Sequence, residues 1–415
     1  MSKGNSKKKI RIRYIAFVLL FVSLSFFSYI SSNSSSHIEE VLVSENLLYD
    51  ELENEVLFDV EEFSSSYAFS HPNETLKLID NIKRRAKANR FHGSILIAHK
   101  DEVVVNEQIG YQDPRLKIAP LQPNLSYELA SVSKQFTAAA ILMLQEEECL
   151  DIDEPVANYL PNFKFQQVTI RHLLKHSSGL WDYMYITEAF WKKKYAPGNQ
   201  DVVELVNKHQ RHLNFRVGTR FNYNNTNYVL LAAIVEEITK SSFSEFLQER
   251  VFSPLCLEDS YIGIESRQLP NVADAFIGYG RGYVNLPPSF HNEALGDKGV
   301  YSSSTDLWRW FKSIKNNELL SEESVNLMFN QDQFNYYKYG MGFRTKKGKH
   351  KEKIIYHNGI WDGYRNGLTY LPEHDLVIII LSNTQNKNKK FLQDYLIHQS
   401  KQFVREIESA SSVYL

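Results

Sequence analysis

Two β-rich groups close to opposite ends of this chain, with about 250 residues of mostly helical pattern between them, constrain its fold more than any other feature. In the first, Ser94-Ile95-Leu96-Ile97-Ala98 and Val103-Val104-Val105 flank the turn-like His99-Lys100-Asp101-Glu102, which predicts a hairpin. The second comprises Lys353 to His357, Gly367 to Leu371 and Leu376 to Leu381, and an amphipathic helix is expected over about Lys390 to Ile407. Between them the clearest helical patterns are Val132 to Glu148, Asp201 to His209, Val229 to Thr239 and Thr305 to Asn316, and Glu74 to Arg90 precedes the first strand. The expected fold class is α/β (α+β). One antiparallel sheet is built from both chain ends and flanked by helices, with a mostly helical lobe inserted at about 131–335. A groove between sheet and lobe is the expected site.

Ahead of that domain, Lys7, Lys8, Lys9, Arg11 and Arg13 lead into an uncharged run from Tyr14 through Ser36. About twenty residues at ~1.5 Å each span a hydrocarbon core of ~30 Å, so the run is long enough to cross a bilayer as one helix. No Lys or Arg recurs until Lys77, which puts the basic end in the cytoplasm and the remainder on the non-cytoplasmic side. A cleavable signal peptide is the rival, and the absence of a clear Ala-x-Ala site favours the anchor. The expected organisation is a basic cytoplasmic tail (1–13), a transmembrane signal anchor (14–36), an acidic stalk (37–75) and a catalytic domain (76–410).

Composition excludes several classes. The 415 residues carry 47 Lys and Arg against 49 Asp and Glu, so no general electrostatic drive toward nucleic acid exists. Two cysteines, Cys149 and Cys256, rule out a disulfide-stapled scaffold or a cysteine-rich metal site, and both are expected to be buried free thiols. His209 and His212 stand three apart with no acidic partner motif, so no metal site and no cofactor are expected.

The chemistry-bearing pattern starts at Ser131-Val132-Ser133-Lys134, at the head of an apolar helix. Residues three apart on a helix are neighbours, and a desolvated lysine amine beside a serine hydroxyl can take its proton and make Ser131 a nucleophile. Taken alone, the pattern reads more readily as a capping serine followed by a surface lysine. Further along, Tyr223-Asn224-Asn225 precedes the helix from Val229, and a phenol near a lysine can shuttle protons. Tyr356-His357-Asn358-Gly359 is expected to end a strand, where backbone N–H groups can serve a substrate and Gly359 permits close approach.

At this point the sequence resembles a family, the penicillin-recognising serine hydrolases. The likeness is to the class C β-lactamase-like group, with its D-Ala-D-Ala carboxypeptidases, D-aminopeptidases and esterases. The elements occur in family order: Ser131-x-x-Lys134, Tyr223-x-Asn225, and His357-x-Gly359 in place of Lys-Thr-Gly. Two structural signatures join them, Leu173 to Leu180 (Leu-Leu-x-His-x-Ser-Gly-Leu) and Gly299 to Leu307. The likeness covers about Arg90 to Ile397.

The resemblance implies that Ser131 is acylated, that Lys134 and Tyr223 share the proton transfers, and that Asn225 orients a substrate amide and Lys134. It also implies that His357 sits on the sheet edge facing substrate, and that the backbone N–H groups of Ser131 and Ile360 form the oxyanion hole. His176 and Ser178 are assigned to loop structure. Histidine at position 357, where family members that bind penicillins often carry lysine, argues against efficient penicillin hydrolysis. Arg365 is a candidate for restoring the charge, a sheet-edge arginine being the simpler reading.

The expected activity is that of a membrane-anchored serine hydrolase using a Ser131 acyl-enzyme on an ester, amide or D-amino-acid peptide, cell-wall peptides among them. The alternatives are a β-lactamase or D-Ala-D-Ala carboxypeptidase proper, and a non-catalytic sensor of cell-wall fragments with the same fold.

Overall fold

In the computed structural model, residues 70–412 are described except 280–281, 331–338, 349–350 and 386–388. The basic tail, the apolar run at 14–36 and most of the stalk lie outside the described residues. Among the described residues no helix is long and apolar enough to cross a membrane.

Six antiparallel strands form the main sheet: β1 (Gly93–His99), β2 (Glu102–Ile109), β3 (Arg344–Lys347), β4 (Lys353–Trp361), β5 (Tyr364–Leu371) and β6 (Leu376–Ser382), in the order β3-β4-β5-β6-β1-β2. The two chain ends meet at β1 and β6, in register from Gly93 opposite Ser382 to His99 opposite Leu376. Every residue of these two strands is buried, as central strands covered on both faces must be.

Side chains alternate between two cores, as the strand period of two requires. Ile95, Ile97, Ile378 and Ile380 face Leu78 and Ile82 of helix α1 (Pro72–Ala88) and Leu396 and Phe403 of the C-terminal helix. Leu96, Ala98, Ile379 and Leu381 belong instead to the larger core shared with the helical lobe.

The lobe is organised by helices α2 (Lys134–Glu146), α3 (Asn225–Thr239) and α4 (Ser304–Lys315), and α5 (Lys389–Ser412) closes the chain on the opposite face of the sheet. Residues Lys134 to Leu144 of α2 are all buried, so this helix is covered on every side and runs through the centre of the lobe. Phe136 stacks on Trp310 of α4 at 4.1 Å between ring centroids and meets Phe252 edge-on at 6.0 Å. These contacts fix the helix whose first turn follows Ser131.

Three expectations are corrected. The strand through His357 does not end at Gly359 but continues to Trp361. The helix after Tyr223 starts at Asn225, because the Asn224 side chain accepts the Thr226 N–H at 2.9 Å as its N-cap. Cys149 and Cys256 are exposed rather than buried: their neighbours Leu150 and Leu257 turn into the core, while the thiols stay at the surface.

Phe136→Ala is expected to cost about 3–5 kcal/mol in denaturant unfolding, as transfer and cavity terms together demand. A loss under about 1 kcal/mol would show that the stack on Trp310 does not anchor α2.

Candidate active site

Ser131 lies on a 3-10 turn, Ala130–Ser133, that runs directly into α2. The turn is clamped from three sides. The Leu129 N–H donates to the Val300 carbonyl at 2.7 Å, the Val300 N–H donates to Ser133 Oγ at 3.2 Å, and Asn366 Nδ2 donates to the Glu128 carbonyl at 2.5 Å. Ala130 is held at φ 52°, a left-handed conformation uncommon for a residue with a Cβ, directly before the serine. Strand β4 packs so tightly on this turn that a Cβ at Gly359 would lie 2.1 Å from the Leu129 carbonyl oxygen and 3.1 Å from the Ser131 nitrogen. Only glycine fits there.

Lys134 is fully buried and points back at the serine. Its Nζ lies 3.3 Å from Ser131 Oγ, 2.9 Å from Asn225 Oδ1 and 2.7 Å from the Asp297 carbonyl oxygen. A buried ammonium has three donors to satisfy, and three acceptors are present. The same geometry suits the neutral amine, which keeps two of these bonds and accepts the Ser131 proton through the third.

Tyr223 lies beside this pair, its ring centroid 5.0 Å from Lys134 Nζ. Its hydroxyl is buried and, among the described residues, has no hydrogen-bond partner, an unusual state for a phenol and one that suits contact with a reacting group. The loop carrying it is set by His176, whose carbonyl accepts the Asn222 N–H at 2.8 Å and whose Nδ1 accepts the Asn224 N–H at 3.2 Å. Asn227 bridges His176 Nδ1 and the Ser178 hydroxyl, at 3.1 and 2.6 Å. Both signature residues are thereby tied into the loop that carries Tyr223.

His357 is buried rather than open at the sheet edge. The carbonyl of Asn358 can only accept, so Nδ1 carries the proton and donates to it at 2.9 Å, while Nε2 accepts from the Tyr339 hydroxyl at 3.1 Å. Burial holds its pKa well below the usual histidine range, and the nearby charges of Arg344 and Lys134 push the same way. His176 is held low by burial and by the same two cations. Both imidazoles are neutral in the site.

Beyond Tyr356, β4 has no strand on its outer edge among the described residues, because β3 pairs only with Lys353 to Tyr356. The edge from Asn358 to Trp361, with Ile360 half-exposed, lies beside the serine turn and is unpaired among the described residues.

Several groups here carry no mark in the sequence patterns. Asp297 reaches Lys134 through its backbone carbonyl, and its carboxylate pairs with a second buried lysine, Lys298, at 3.2 Å. Lys298 also donates to the Tyr183 hydroxyl at 2.7 Å and to the Ala294 carbonyl at 3.0 Å. Gly-Asp-Lys-Gly immediately before the Val300 signature was the available signal, since charged residues inside a signature stretch call for buried partners. Arg344 sits on β3 with its guanidinium 4.7 Å from the Tyr223 ring centroid. Arg365, the residue considered as a substitute for the charge missing at position 357, lies on β5 opposite Ile360. Among the described residues no group of three or more His, Cys, Asp or Glu side chains is placed to hold a metal ion.

Glu128, on the strand entering the serine turn, accepts the Gly299 N–H at 2.9 Å, while its other carboxyl oxygen is buried without a partner. Burial pushes its pKa up from 4.5 to about 7, against the opposing pull of the Gly299 N–H and Lys298. The unfolded carboxyl loses its proton near pH 4.5 and the folded one near 7, so this group makes the fold less stable as pH rises through that window. Glu128→Gln removes the effect. The Tm of the variant minus that of wild type is expected to be more positive at pH 8 than at pH 5, and an equal difference at both would show that Glu128 ionises normally.

A family model described as Beta-lactamase matches residues 78–401. A penicillin-binding protein of Bacillus subtilis is 31% identical over 72% of this chain and 69% of its own length, and the protein flp of Staphylococcus aureus is 26% identical over 75% and 62%. Among solved structures, the octameric penicillin-binding protein homologue from Pyrococcus abyssi superposes with a TM-score of 0.67 at 26% identity, covering 77% of this chain and 76% of that one. The match spans nearly the whole described domain and takes in the serine turn, the Tyr223 loop and β4. The chain belongs to the Beta-lactamase family and is a serine hydrolase of that fold.

Proposed function

We propose that the protein hydrolyses an ester, amide or D-amino-acid peptide through an acyl-enzyme on Ser131. The observation that carries this reading is the position of Lys134 Nζ, 3.3 Å from Ser131 Oγ and held by Asn225 and the Asp297 carbonyl in full burial. In this mechanism Ser131 Oγ attacks the substrate carbonyl carbon as its proton passes to Lys134. The carbonyl oxygen gains charge between the backbone N–H groups of Ser131 and Ile360. Tyr223, with its unpartnered hydroxyl beside Lys134, relays the proton to the departing amine or alcohol, and water then releases the acyl group by the reverse route.

Neutral His357 places no fixed charge at the position from which relatives of this type address a penicillin carboxylate, which supports an ester or peptide substrate over penicillin hydrolysis. The sensor reading has no observation in its favour, since the nucleophile, its lysine and the tyrosine are all in place. The run from Tyr14 through Ser36, with basic residues on one side only, supports anchoring to a membrane with this domain on the non-cytoplasmic face, reached through an acidic stalk.

With an activated nitrophenyl ester, the full chain in detergent is expected to give a stoichiometric burst that Ser131→Ala abolishes. Lys134→Met and Tyr223→Phe should lower the burst rate by about 10²-fold or more, in the range general acid–base groups supply. An unchanged burst in Ser131→Ala would overturn the nucleophile assignment. Anchoring is read separately: full-length protein should stay with the membrane fraction after high-salt washing, whereas release as a shortened chain would establish cleavage instead.

A further inference from the structure

An open cavity of about 670 Å³ on the helical lobe has no part in the chemistry above. Two arginines, Arg211 and Arg216, and two histidines, His172 and His212, line it together with the rings of Phe165 and Phe215. Ser131, Lys134, Tyr223, Asn225 and His357 are all absent from its walls, so it is a separate site. Among the described residues no Asp or Glu lines it. Its size falls within the range of about 300–1,000 Å³ that small-molecule sites occupy.

The stretch of chain around it is basic. From Lys164 to Arg220 ten Lys and Arg stand against four Asp and Glu, in a chain whose formal charge is -2. The carboxylate whose charge reaches His172 is that of Asp153, and Arg171 already holds it through two bonds at 2.5 and 2.7 Å. His172 gives the cavity a donor of defined direction. Its Nδ1 accepts the Thr169 backbone N–H at 3.1 Å, so in the neutral ring Nε2 carries the proton. Burial holds its pKa below the usual histidine range, which keeps the ring in that neutral form. Nε2 faces the loop that carries Arg216, since a Cβ at Gly218 would lie 3.2 Å from it. That loop is fixed in advance: the Asn214 N–H donates to the Gly179 carbonyl at 2.8 Å, and the Gly218 N–H to the Ser177 carbonyl at 2.9 Å.

We propose that this cavity binds an organic anion, an apolar ring bearing a carboxylate or a phosphate-type group, at a site separate from the acylation centre. Arg211 and Arg216 supply planar forks that match an oxyanion, His172 adds its Nε2–H, and Phe165 and Phe215 offer the ring an apolar surface. The basic stretch draws anions toward it from solution. The loop with both arginines is bonded to Ser177 and Gly179, so the ligand rests on the back of the signature turn and not in the catalytic groove. The assignment goes beyond the acyl-enzyme reading and does not need it.

Calorimetry on the full chain in detergent, with four probes, tests it: benzoate, phenyl phosphate, neutral benzamide and inorganic phosphate. Benzoate or phenyl phosphate is expected to bind at one site per chain about tenfold or more tightly than benzamide, as a charge-assisted hydrogen-bonded pair provides, and the two arms tell which oxyanion is preferred. Arg211→Gln/Arg216→Gln should bring that preference to about one. Gln167→Glu places a carboxylate on an exposed lining position and leaves both arginines untouched, so it should weaken anion binding by a similar factor even if the double variant misfolds. Equal binding of the anions and benzamide, inorganic phosphate binding as tightly as phenyl phosphate, or a preference undiminished by either variant would overturn the inference. None of these outcomes depends on whether the protein shows a burst at Ser131.

Discussion

A lysine taken wholly out of water needs an acceptor for each of its three donors, and the arrangement of this molecule follows from where Lys134 finds them. One is the serine three residues earlier on the same turn, one is Asn225 at the first turn of α3, and one is the backbone at Asp297 ahead of α4. Three separate stretches of chain are thus tied to one nitrogen. Displacing any of them would strand a buried charge, which costs far more than a surface contact does. The apolar packing of α2, with Phe136 against Trp310, fixes the helix that aims the lysine.

Around this point the site is built from neutral hydrogen-bonding groups and cations. His176 and His357 are both desolvated and kept uncharged, so neither competes for a proton with the lysine and the phenol. The Asp297 carboxylate is occupied by Lys298, and the Asp182 side chain caps the helix Tyr183–Phe190 through the Met184 N–H. Among the described residues no carboxylate is placed as a base beside Ser131. An amine, a hydroxyl and a phenol are the groups gathered there.

Much of this was legible in the residues. The β-rich runs near both ends predicted one sheet built from both, which β1 and β6 join in the structure, and the Ser131, Tyr223 and His357 motifs lie on the three elements that meet at the site. The rest depends on contacts that no local pattern expresses. Strand β3 is Arg-Thr-Lys-Lys, polar and on an edge, so it carries no hydrophobic period, and Arg344 is invisible until the strand pairs with β4. Asp297 and Lys298 belong to none of the motifs, and tertiary packing buries both. The cysteines failed in the opposite direction, because their neighbours Leu150 and Leu257 take the core positions and leave the thiols outside. His357 sits on the expected strand, but its ring is sealed beneath Tyr339, a residue that no motif marks.

Labelling with a fluorophosphonate, followed by intact and peptide mass measurement, tests directly whether Lys134 activates Ser131. The arrangement described here predicts a single phosphonyl group on the peptide containing Ser131 in wild type, and labelling slowed by about 10²-fold or more in a folded Lys134→Met variant. Labelling at another residue, or at the same rate in both proteins, would contradict it.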